Sequence, residues 1–563
     1  MNRRSFAQSL VGSIAASIIV PQRGDCTEPG ARHERDFDCD VAIVGGGISG
    51  LYTGWRLMDS DPRQIRILGH TLGESRLRVA VFEGSCRIGG RLLSTVSPRF
   101  PGVTCELGGM RFRPTQLRMS KLVSYLGLST ITMNTSFSFA LLRGRRVASS
   151  DFTNPDALPY QLSAEEREWV RQFGATSLTD RAVRDLIPAT RGLYGKQLYE
   201  CLQSATVKEV PLFRWGFWNL VASRLSSEGF NLSRTLSGFD TLGENANAVD
   251  LIMQSIGVIP GTPFYLIKDG FEQIAWALQT KFEASGGKVY LGDWLNRFDW
   301  IQTQSGRGIR LTFSSGRNVV SRALVLAMPR HALQPLLMRW QIPNPGEPGP
   351  LLDSVESIPL FKMFLLYPKP WWNKFLGVTP RGAICAGRSY SDTPIRQCWY
   401  WNSAGCPPGD APAMIMIYCD MSNTKFWEGL RFGEAPLSDP CNVPSEDRLD
   451  RNWASHPVPK RMLAEMHRQI LILHGVDPDN DEYPPPIEAA YKDWSDEPFG
   501  GGVHSWNQGF QSWKLKDTIV NPIPYAPVYV CGEAYSTSPT FAEGALETAE
   551  IALVDHFRVG RFF

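Results

Sequence analysis

The amino-acid sequence predicts an α/β fold in which helices cover a parallel sheet. The run VAIV at 41–44 is apolar at every position and leads into three glycines and a helix-like pattern. A second strand at 78–82 ends at Glu83, and a third, at 528–531, also leads into a helix. Strands that are apolar on both faces are typical of parallel sheets buried between helices.

The first strand is followed by the pattern Gly45-x-Gly47-x-x-Gly50. Gly45 permits a tight turn, Gly47 lets the backbone approach a pyrophosphate, and Gly50 lets the helix pack closely on the strand. Ser49 lies in the first turn of the helix, whose positive end favours phosphate. Because a strand precedes the pattern and a helix follows it, the pattern predicts a dinucleotide-binding turn.

The acidic residue that such a turn requires is Glu83, which can bind ribose hydroxyls at the end of the second strand. It lies 33 residues after Gly50, and a polar insertion at 59–75 explains why this spacing is long. Further along the chain, Gly90 and Arg91 suit a second phosphate contact, since a guanidinium binds phosphate through two hydrogen bonds.

Composition narrows the remaining possibilities. The 563 residues are enough for two or three domains, and the net charge of +2 without a basic run excludes a nucleic-acid footprint. We expect no membrane span, because no apolar stretch of sufficient length follows the N-terminus. The 11 cysteines form no pair or cluster of the metal-binding type, so we expect no metal site.

The N-terminal segment predicts a leader. Arg3 and Arg4 precede a mostly apolar stretch, which resembles a twin-arginine signal peptide. We therefore expect residues 1–36 to be a signal peptide and disordered leader. The protein is then exported to the periplasm or secreted, and it is cytoplasmic if the leader does not function.

Together, the glycine turn, Glu83 and the RIGGR segment at 87–91 resemble the flavoprotein amine oxidase family. A second mark is the segment PVYVCGEAYSTSPTFAEGALETAEIAL near the C-terminus. The resemblance implies FAD as cofactor, with Gly532 and Glu533 at the ribityl chain and the helix that contains Ala542 facing the flavin. Leu295 lies in an intervening strand of the same domain.

The resemblance also implies the architecture. We expect a Rossmann-like FAD-binding domain of the GR2 type from residues 37–95, 263–345 and 515–563. A mixed-sheet substrate domain comes from residues 96–155 and 346–514. A helical lid subdomain comes from residues 156–262. The size and the family make a homodimer the expected assembly.

Arg111 identifies the branch of the family. It follows a glycine turn in the segment CELGGMRF, in which Gly109 and Met110 are expected to contact the flavin. In the L-amino-acid-oxidising branch an arginine at this position binds the substrate carboxylate, and guanidinium geometry suits that task. The segment QCWYW resembles the one that supplies a tyrosine to the same carboxylate, and Tyr400 is the candidate, with its register uncertain by one residue.

Three further residues are assigned by the resemblance. Lys362 is a lone charge in an apolar strand, and the family lysine at this point is linked to flavin reoxidation by dioxygen. Trp494 is expected to contact the isoalloxazine ring. Phe541 is expected to line the pocket; relatives often carry Gly-Trp where this chain has Thr540-Phe541.

These features indicate an L-amino-acid oxidase that uses dioxygen and forms a 2-oxo acid, ammonium and hydrogen peroxide. One alternative is an L-amino-acid 2-monooxygenase, which forms an amide with loss of carbon dioxide. Another is an oxidase for cationic side chains such as arginine or lysine, bound by the acidic stretch 493–497. An amine oxidase is disfavoured by Arg111.

Overall fold

The computed structural model of the protein describes residues 37–71, 76–240, 245–338, 351–375, 387–401, 411–431, 452–479 and 482–563. The predicted leader, residues 1–36, lies outside the described residues. Residues 37–563 cluster as one compact unit.

The first sheet has the predicted parallel core. Its central strand, Cys39–Val44, pairs in parallel with Val79–Phe82 on one side and with Asn318–Leu326 on the other. The described strands of this sheet run in the order Lys288–Tyr290, Val79–Phe82, Cys39–Val44, Asn318–Leu326, Gly306–Phe313 and Leu295–Thr303, with Val528–Val530 paired to Asn318–Leu326. The last three strands of that order form an antiparallel meander.

The second sheet is mixed. Its described strands run in the order Glu488–Asp493, Leu360–Tyr367, Ala413–Asp420, Gln397–Trp401, Arg388–Ser391, Phe137–Leu142 and Arg145–Ala148. Arg388–Ser391 pairs in parallel with Phe137–Leu142, whereas the other neighbours are antiparallel. The two predicted kinds of sheet, parallel-cored and mixed, are therefore both present.

Short two-stranded ladders lie outside these two sheets. The paired strands are Arg66–Ile67 with His70–Thr71, Ser94–Val96 with Thr104–Glu106, Phe264–Ile267 with Thr130–Met133, Thr206–Val207 with Val210–Pro211, and Val355–Ile358 with Val503–Trp506. The first of them lies in the predicted insertion at 59–75, so this part of the crossover is a small hairpin.

Helices cover the first sheet and form a separate layer between residues 164 and 256. The described α-helices are Ile48–Met58, Leu117–Tyr125, Ala164–Phe173, Leu178–Leu186, Gly195–Ser204, Phe217–Ala222, Ser227–Leu236, Ala248–Ile256, Gln273–Ala284, Arg330–Met338, Ser422–Gly429, Lys460–Leu473, Ser512–Val520 and Ala542–Ile551. No helix among these is long and apolar enough to cross a membrane.

The strands of the first sheet lie inside the segments predicted for the FAD-binding domain, and those of the second sheet lie inside the predicted substrate domain. The helices from 164 to 256 share a core with Ala140, Leu142, Val147 and Tyr390 of the second sheet. Because residues 37–563 cluster as one unit, the division into three domains stays a prediction.

Gly50 is the point at which the first helix touches the first sheet. A Cβ added to Gly50 would lie 2.0 Å from the carbonyl oxygen of Gly45 and 3.1 Å from the Ala327 Cβ. Real Cβ atoms do not approach a carbonyl so closely, so only glycine at position 50 allows the helix Ile48–Met58 to begin this close to the sheet. This explains the third glycine of the motif in steric terms.

Gly50→Ala therefore tests the sheet–helix contact. We expect a loss of at least ~2 kcal/mol of unfolding free energy, because backbone must move to relieve the overlap. Gly102→Ala is the matched control, since Gly102 is exposed and its added Cβ meets no atom within 4 Å. Denaturant unfolding measures both variants, and equal stabilities would contradict this steric explanation.

Candidate active site

A cavity of about 630 Å³ brings the predicted residues together. It is lined by residues from both sheets and from the helices between 164 and 256. The predicted residues on its wall are Gly45, Gly47, Ser49, Glu83, Gly90, Arg91, Gly109, Met110, Arg111, Leu295, Lys362, Trp494, Gly532, Glu533, Phe541 and Ala542. Gly50 lies behind the first turn, where it packs on Gly45, and Tyr400 is not on the wall.

One end of the cavity is built by the glycine turn. No side chain caps the helix that begins after Gly47, and a Cβ at Gly47 would meet no atom within 4 Å. The helix N-terminus therefore opens to the cavity with its backbone donors available to an anion. Beside it, the Gly46 amide donates to Glu83 Oε2 at 2.6 Å, and Ser85 donates to Glu83 Oε1. These bonds hold the Glu83 carboxylate at the wall.

A buried carboxylate, Glu533, joins three distant segments in the middle of the wall. Arg91 Nη1 and His504 Nδ1 each lie 2.5 Å from Glu533 Oε1, and the Thr540 amide donates to Oε2 at 2.9 Å. Burial alone would raise the pKa of Glu533, but Arg91 and His504 hold it well below its usual range. Glu533 is therefore ionised, and its neighbours are fixed around it.

A second uncapped helix begins beyond this carboxylate. Ala542–Ile551 has Phe541 at its N-cap, and no side chain caps it. Thr540, which stands where relatives often have glycine, has a φ of 77°, a left-handed conformation that is unfavourable for a β-branched residue. Phe541, the next residue, lies on the cavity wall.

Lys362 lies on the cavity wall in Leu360–Tyr367, and it is 4% exposed. Its Nζ donates to the carbonyl oxygens of Gly108 at 2.5 Å and Glu106 at 3.1 Å. An ammonium has three N–H donors, so one is left for the cavity. Burial lowers the pKa of Lys362, while the nearby Glu106 carboxylate opposes that shift.

Arg111 is held by aromatic rings. Its guanidinium lies 4.1 Å from the Phe264 ring centroid and 5.3 Å from that of Trp399, and its Nη1 points to the Met133 sulfur at 3.8 Å. It forms no ion pair with a carboxylate in the described parts of the chain. Burial, and then repulsion from Arg388, lower the pKa of Arg111 to about 10. A charged donor is thus presented to the cavity without a protein counter-ion.

The structure adds residues that the sequence did not single out. Arg388, Tyr390 and Tyr418 line the same part of the cavity. Tyr418 and Lys362 are register partners on neighbouring strands, and the ammonium lies 4.9 Å from the Tyr418 ring centroid. Arg388 stacks near both Tyr390 and Trp399. The three added residues come from two strands of the second sheet, Arg388–Ser391 and Ala413–Asp420.

The prediction for Tyr400 is wrong. Side chains alternate along Gln397–Trp401, so Tyr400 faces away from the side on which Trp399 meets Arg111. Its hydroxyl is hydrogen-bonded to Ser389 Oγ at 2.9 Å and to His474 Nε2 at 3.0 Å within the core on the other face. Tyr390 and Tyr418 are the tyrosines of the cavity.

The acidic stretch proposed for a cationic side chain does not reach the cavity either. Asp493 and Asp496 both accept from Arg431, at 2.7 and 2.8 Å, and Glu497 is an exposed partner of His331. None of these three carboxylates lies on the cavity wall. Trp494, between them in sequence, does lie on it, and its Nε1 donates to the Leu107 carbonyl at 2.8 Å.

The parallel sheet, the uncapped helix at the glycine turn and the buried Glu533 define a Rossmann-type flavoprotein. The family model described as flavin containing amine oxidoreductase matches residues 48–430. The chain belongs to this family of flavin-dependent amine oxidoreductases, so the resemblance drawn from its motifs is confirmed, and its cofactor is FAD.

The individual relatives are only distantly similar to this chain in sequence. The chain is 25% identical to Aplysianin-A of Aplysia kurodai over 93% of its length and 92% of that protein. It is 26% identical to Achacin of Lissachatina fulica over 88% of both chains. Among solved structures, wild-type putrescine oxidase bound to putrescine has a TM-score of 0.62 at 15% identity, covering 92% of this chain and 98% of that one. At that identity the likeness shows the fold alone.

The residues present fit FAD. Glu83, with two oxygens fixed by Gly46 and Ser85, would hold the adenosine ribose, and the two uncapped helices would face the pyrophosphate and the flavin. Trp294 also lines the cavity near Glu83 and Leu295. Its ring lies flat on Gly84, whose added Cβ would be 2.4 Å from it, yet the residue is 43% exposed. It would offer an aromatic face to the adenine.

Trp294→Ala is expected to weaken FAD binding by about 1–3 kcal/mol, the usual contribution of base–aromatic stacking. Titration of the apoprotein, followed by flavin fluorescence, measures the dissociation constant. FMN, which lacks adenine, should bind equally to wild type and variant. Phe173→Ala, at an exposed aromatic away from the cavity, is the control. Equal weakening for FAD and FMN would show that Trp294 does not act on the adenine.

Proposed function

We propose that this flavin-dependent amine oxidoreductase is an L-amino-acid oxidase. Arg111 is the observation that carries the proposal. Its guanidinium lies on the cavity wall between aromatic rings, and it has no carboxylate partner among the described residues. A buried charge is costly unless a counter-ion binds it. The α-carboxylate of an amino acid supplies that counter-ion, whereas a simple amine does not.

The protein orients the substrate. A bidentate pair between Arg111 and the α-carboxylate fixes one end of the amino acid, while Trp494 and Phe541 limit the space around the other groups. Bound FAD would supply the redox chemistry that oxidises the amino group to an imine, with dioxygen as the final acceptor and hydrogen peroxide as its product. Water hydrolyses the imino acid, so amino acid, dioxygen and water yield 2-oxo acid, ammonia and hydrogen peroxide.

The proposal has three further parts: the role of Lys362, export and assembly. Lys362 presents its remaining N–H donor to the cavity, which suits the role in reoxidation that the family resemblance gives it. Export through a twin-arginine signal and assembly as a homodimer remain predictions from the sequence.

A product assay tests the reaction class. Purified holoenzyme is incubated with a panel of L-amino acids, and peroxide, ammonium, 2-oxo acid and amide are quantified. We expect peroxide, ammonium and 2-oxo acid in equal amounts, as the oxidase reaction requires. Amide with little peroxide would instead establish the monooxygenase.

Arg111→Met tests the carboxylate clamp. Removing one partner of a desolvated charge pair costs roughly 2–5 kcal/mol, so we expect kcat/KM for every oxidised L-amino acid to fall about thirtyfold or more. The control is Arg171→Met, since Arg171 is exposed on the helix Ala164–Phe173 and its ion pair within the described chain is with its neighbour Glu168. Flavin absorbance is recorded for both variants to show that FAD is retained. An unchanged kcat/KM in a flavin-loaded Arg111→Met would contradict the clamp.

A further inference from the structure

The cavity carries positive charge that the α-carboxylate alone does not balance. Besides Arg111, the guanidinium of Arg388 lies on its wall, 5.0 Å from the Trp399 ring centroid and 5.3 Å from that of Tyr390. Its Nε is buried without a hydrogen-bond partner in the described chain, and the group forms no ion pair there. Two guanidiniums therefore share the indole of Trp399 with no acid between them.

The acids on the same wall already have protein partners. Glu83 accepts from Gly46 and Ser85, Glu533 is held by Arg91 and His504, and Asp180 pairs with Arg184 at 2.6 Å. Within the described residues, the region around Trp399 is consequently basic, and a cationic substrate side chain finds no unpaired carboxylate there.

We propose that the enzyme prefers L-amino acids with a side-chain carboxylate, which Arg388 binds while Arg111 binds the α-carboxylate. This inference rests on the proposed function, since it names the substrate class of the same site. Arg111 is assigned to the α-carboxylate because it directly follows the turn at Gly109 and Met110, among the residues that would contact FAD. Arg388 lies outside that turn, on a strand of the second sheet.

The geometry suits two anions. The guanidiniums are 5.3 and 5.0 Å from one ring centroid, so they lie in the same small region, and burial followed by their mutual repulsion lowers the pKa of Arg111. Each anionic group that binds relieves this repulsion and supplies the missing counter-ion. Arg113 adds to the positive potential, since it lines the cavity and stacks on the other ring neighbour of Arg111, Phe264, at 4.2 Å.

The test compares near-isosteric substrates. kcat/KM of the holoenzyme is measured for L-glutamate against L-glutamine and for L-aspartate against L-asparagine, with L-lysine and L-leucine included. We expect at least one acid to exceed its amide by about tenfold or more, and Arg388→Gln to abolish that ratio. Arg171→Gln, at the exposed helix position, should leave the ratio at its wild-type value.

A binding measurement keeps the test independent of variant folding and turnover. Wild-type holoenzyme is titrated with glutarate and with butanoate, and the change in flavin absorbance gives their dissociation constants. We expect glutarate to bind at least about tenfold more tightly, because it can meet both guanidiniums.

The outcomes separate the two proposals. Oxidation of amino acids with a preference for lysine, leucine or the amides would overturn the dicarboxylate inference and leave the oxidase intact. A preference for the acids that persists in Arg388→Gln would overturn the role of Arg388. Tight glutarate binding without oxidation of any amino acid would support the two-anion site and overturn the proposed oxidase. If glutarate binds no more tightly than butanoate and no amino acid is oxidised, both the dicarboxylate inference and the proposed oxidase are wrong.

Discussion

The buried carboxylate of Glu533 is the interaction on which the site depends. It joins Arg91, which follows the second glycine pair, to His504 in the strand Val503–Trp506. It also accepts a hydrogen bond from the backbone amide of Thr540, just before the last helix. A charge this deep is tolerated only with partners, and removal of one partner leaves the others uncompensated. The same contacts that stabilise Glu533 therefore fix three walls of the FAD-binding cavity relative to one another.

The acidic and the basic side chains of this cavity differ in whether they have partners. The acids on the described wall are each paired with protein donors, whereas Arg111 and Arg388 are stacked on aromatic rings and lack acidic partners. Aromatic stacking positions a guanidinium without neutralising it. Since the fold likeness to amine oxidases does not identify a substrate, the proposed amino-acid substrate rests on this division of charge.

Much of the fold was predictable because it depends on local patterns. The apolar strand before Gly45, the steric need for Gly50 and the acid at Glu83 are encoded within short stretches, and they place the FAD-binding turn correctly. Likewise Lys362 stood out because a lone charge in an apolar strand must have partners. Phe541 reached the cavity even though Thr540 must adopt a left-handed conformation where relatives often have glycine.

The residues around Arg111 and Trp399 were less predictable, because their place depends on which face of a strand points into the cavity. Every residue of Gln397–Trp401 is buried, so no alternation of polar and apolar residues reveals the direction of Tyr400. The positions of Arg388 and Tyr418 on the cavity wall depend on the register in which Arg388–Ser391, Gln397–Trp401 and Ala413–Asp420 pair, which no local pattern gives. Similarly, the sequence alone suggested that the acids around Trp494 could bind a cationic substrate. In the structure, Arg431, more than sixty positions away in sequence, binds both Asp493 and Asp496.

Anaerobic flavin reduction tests the central claim most directly, since it observes the site without dioxygen chemistry. The holoenzyme is mixed with L-amino acids and with amines that differ from them only in lacking the α-carboxylate, and the loss of flavin absorbance is followed. We expect rapid reduction by at least one L-amino acid and little by its matched amine. Reduction by the amines, with no response to the amino acids, would contradict the role of Arg111 as a carboxylate clamp.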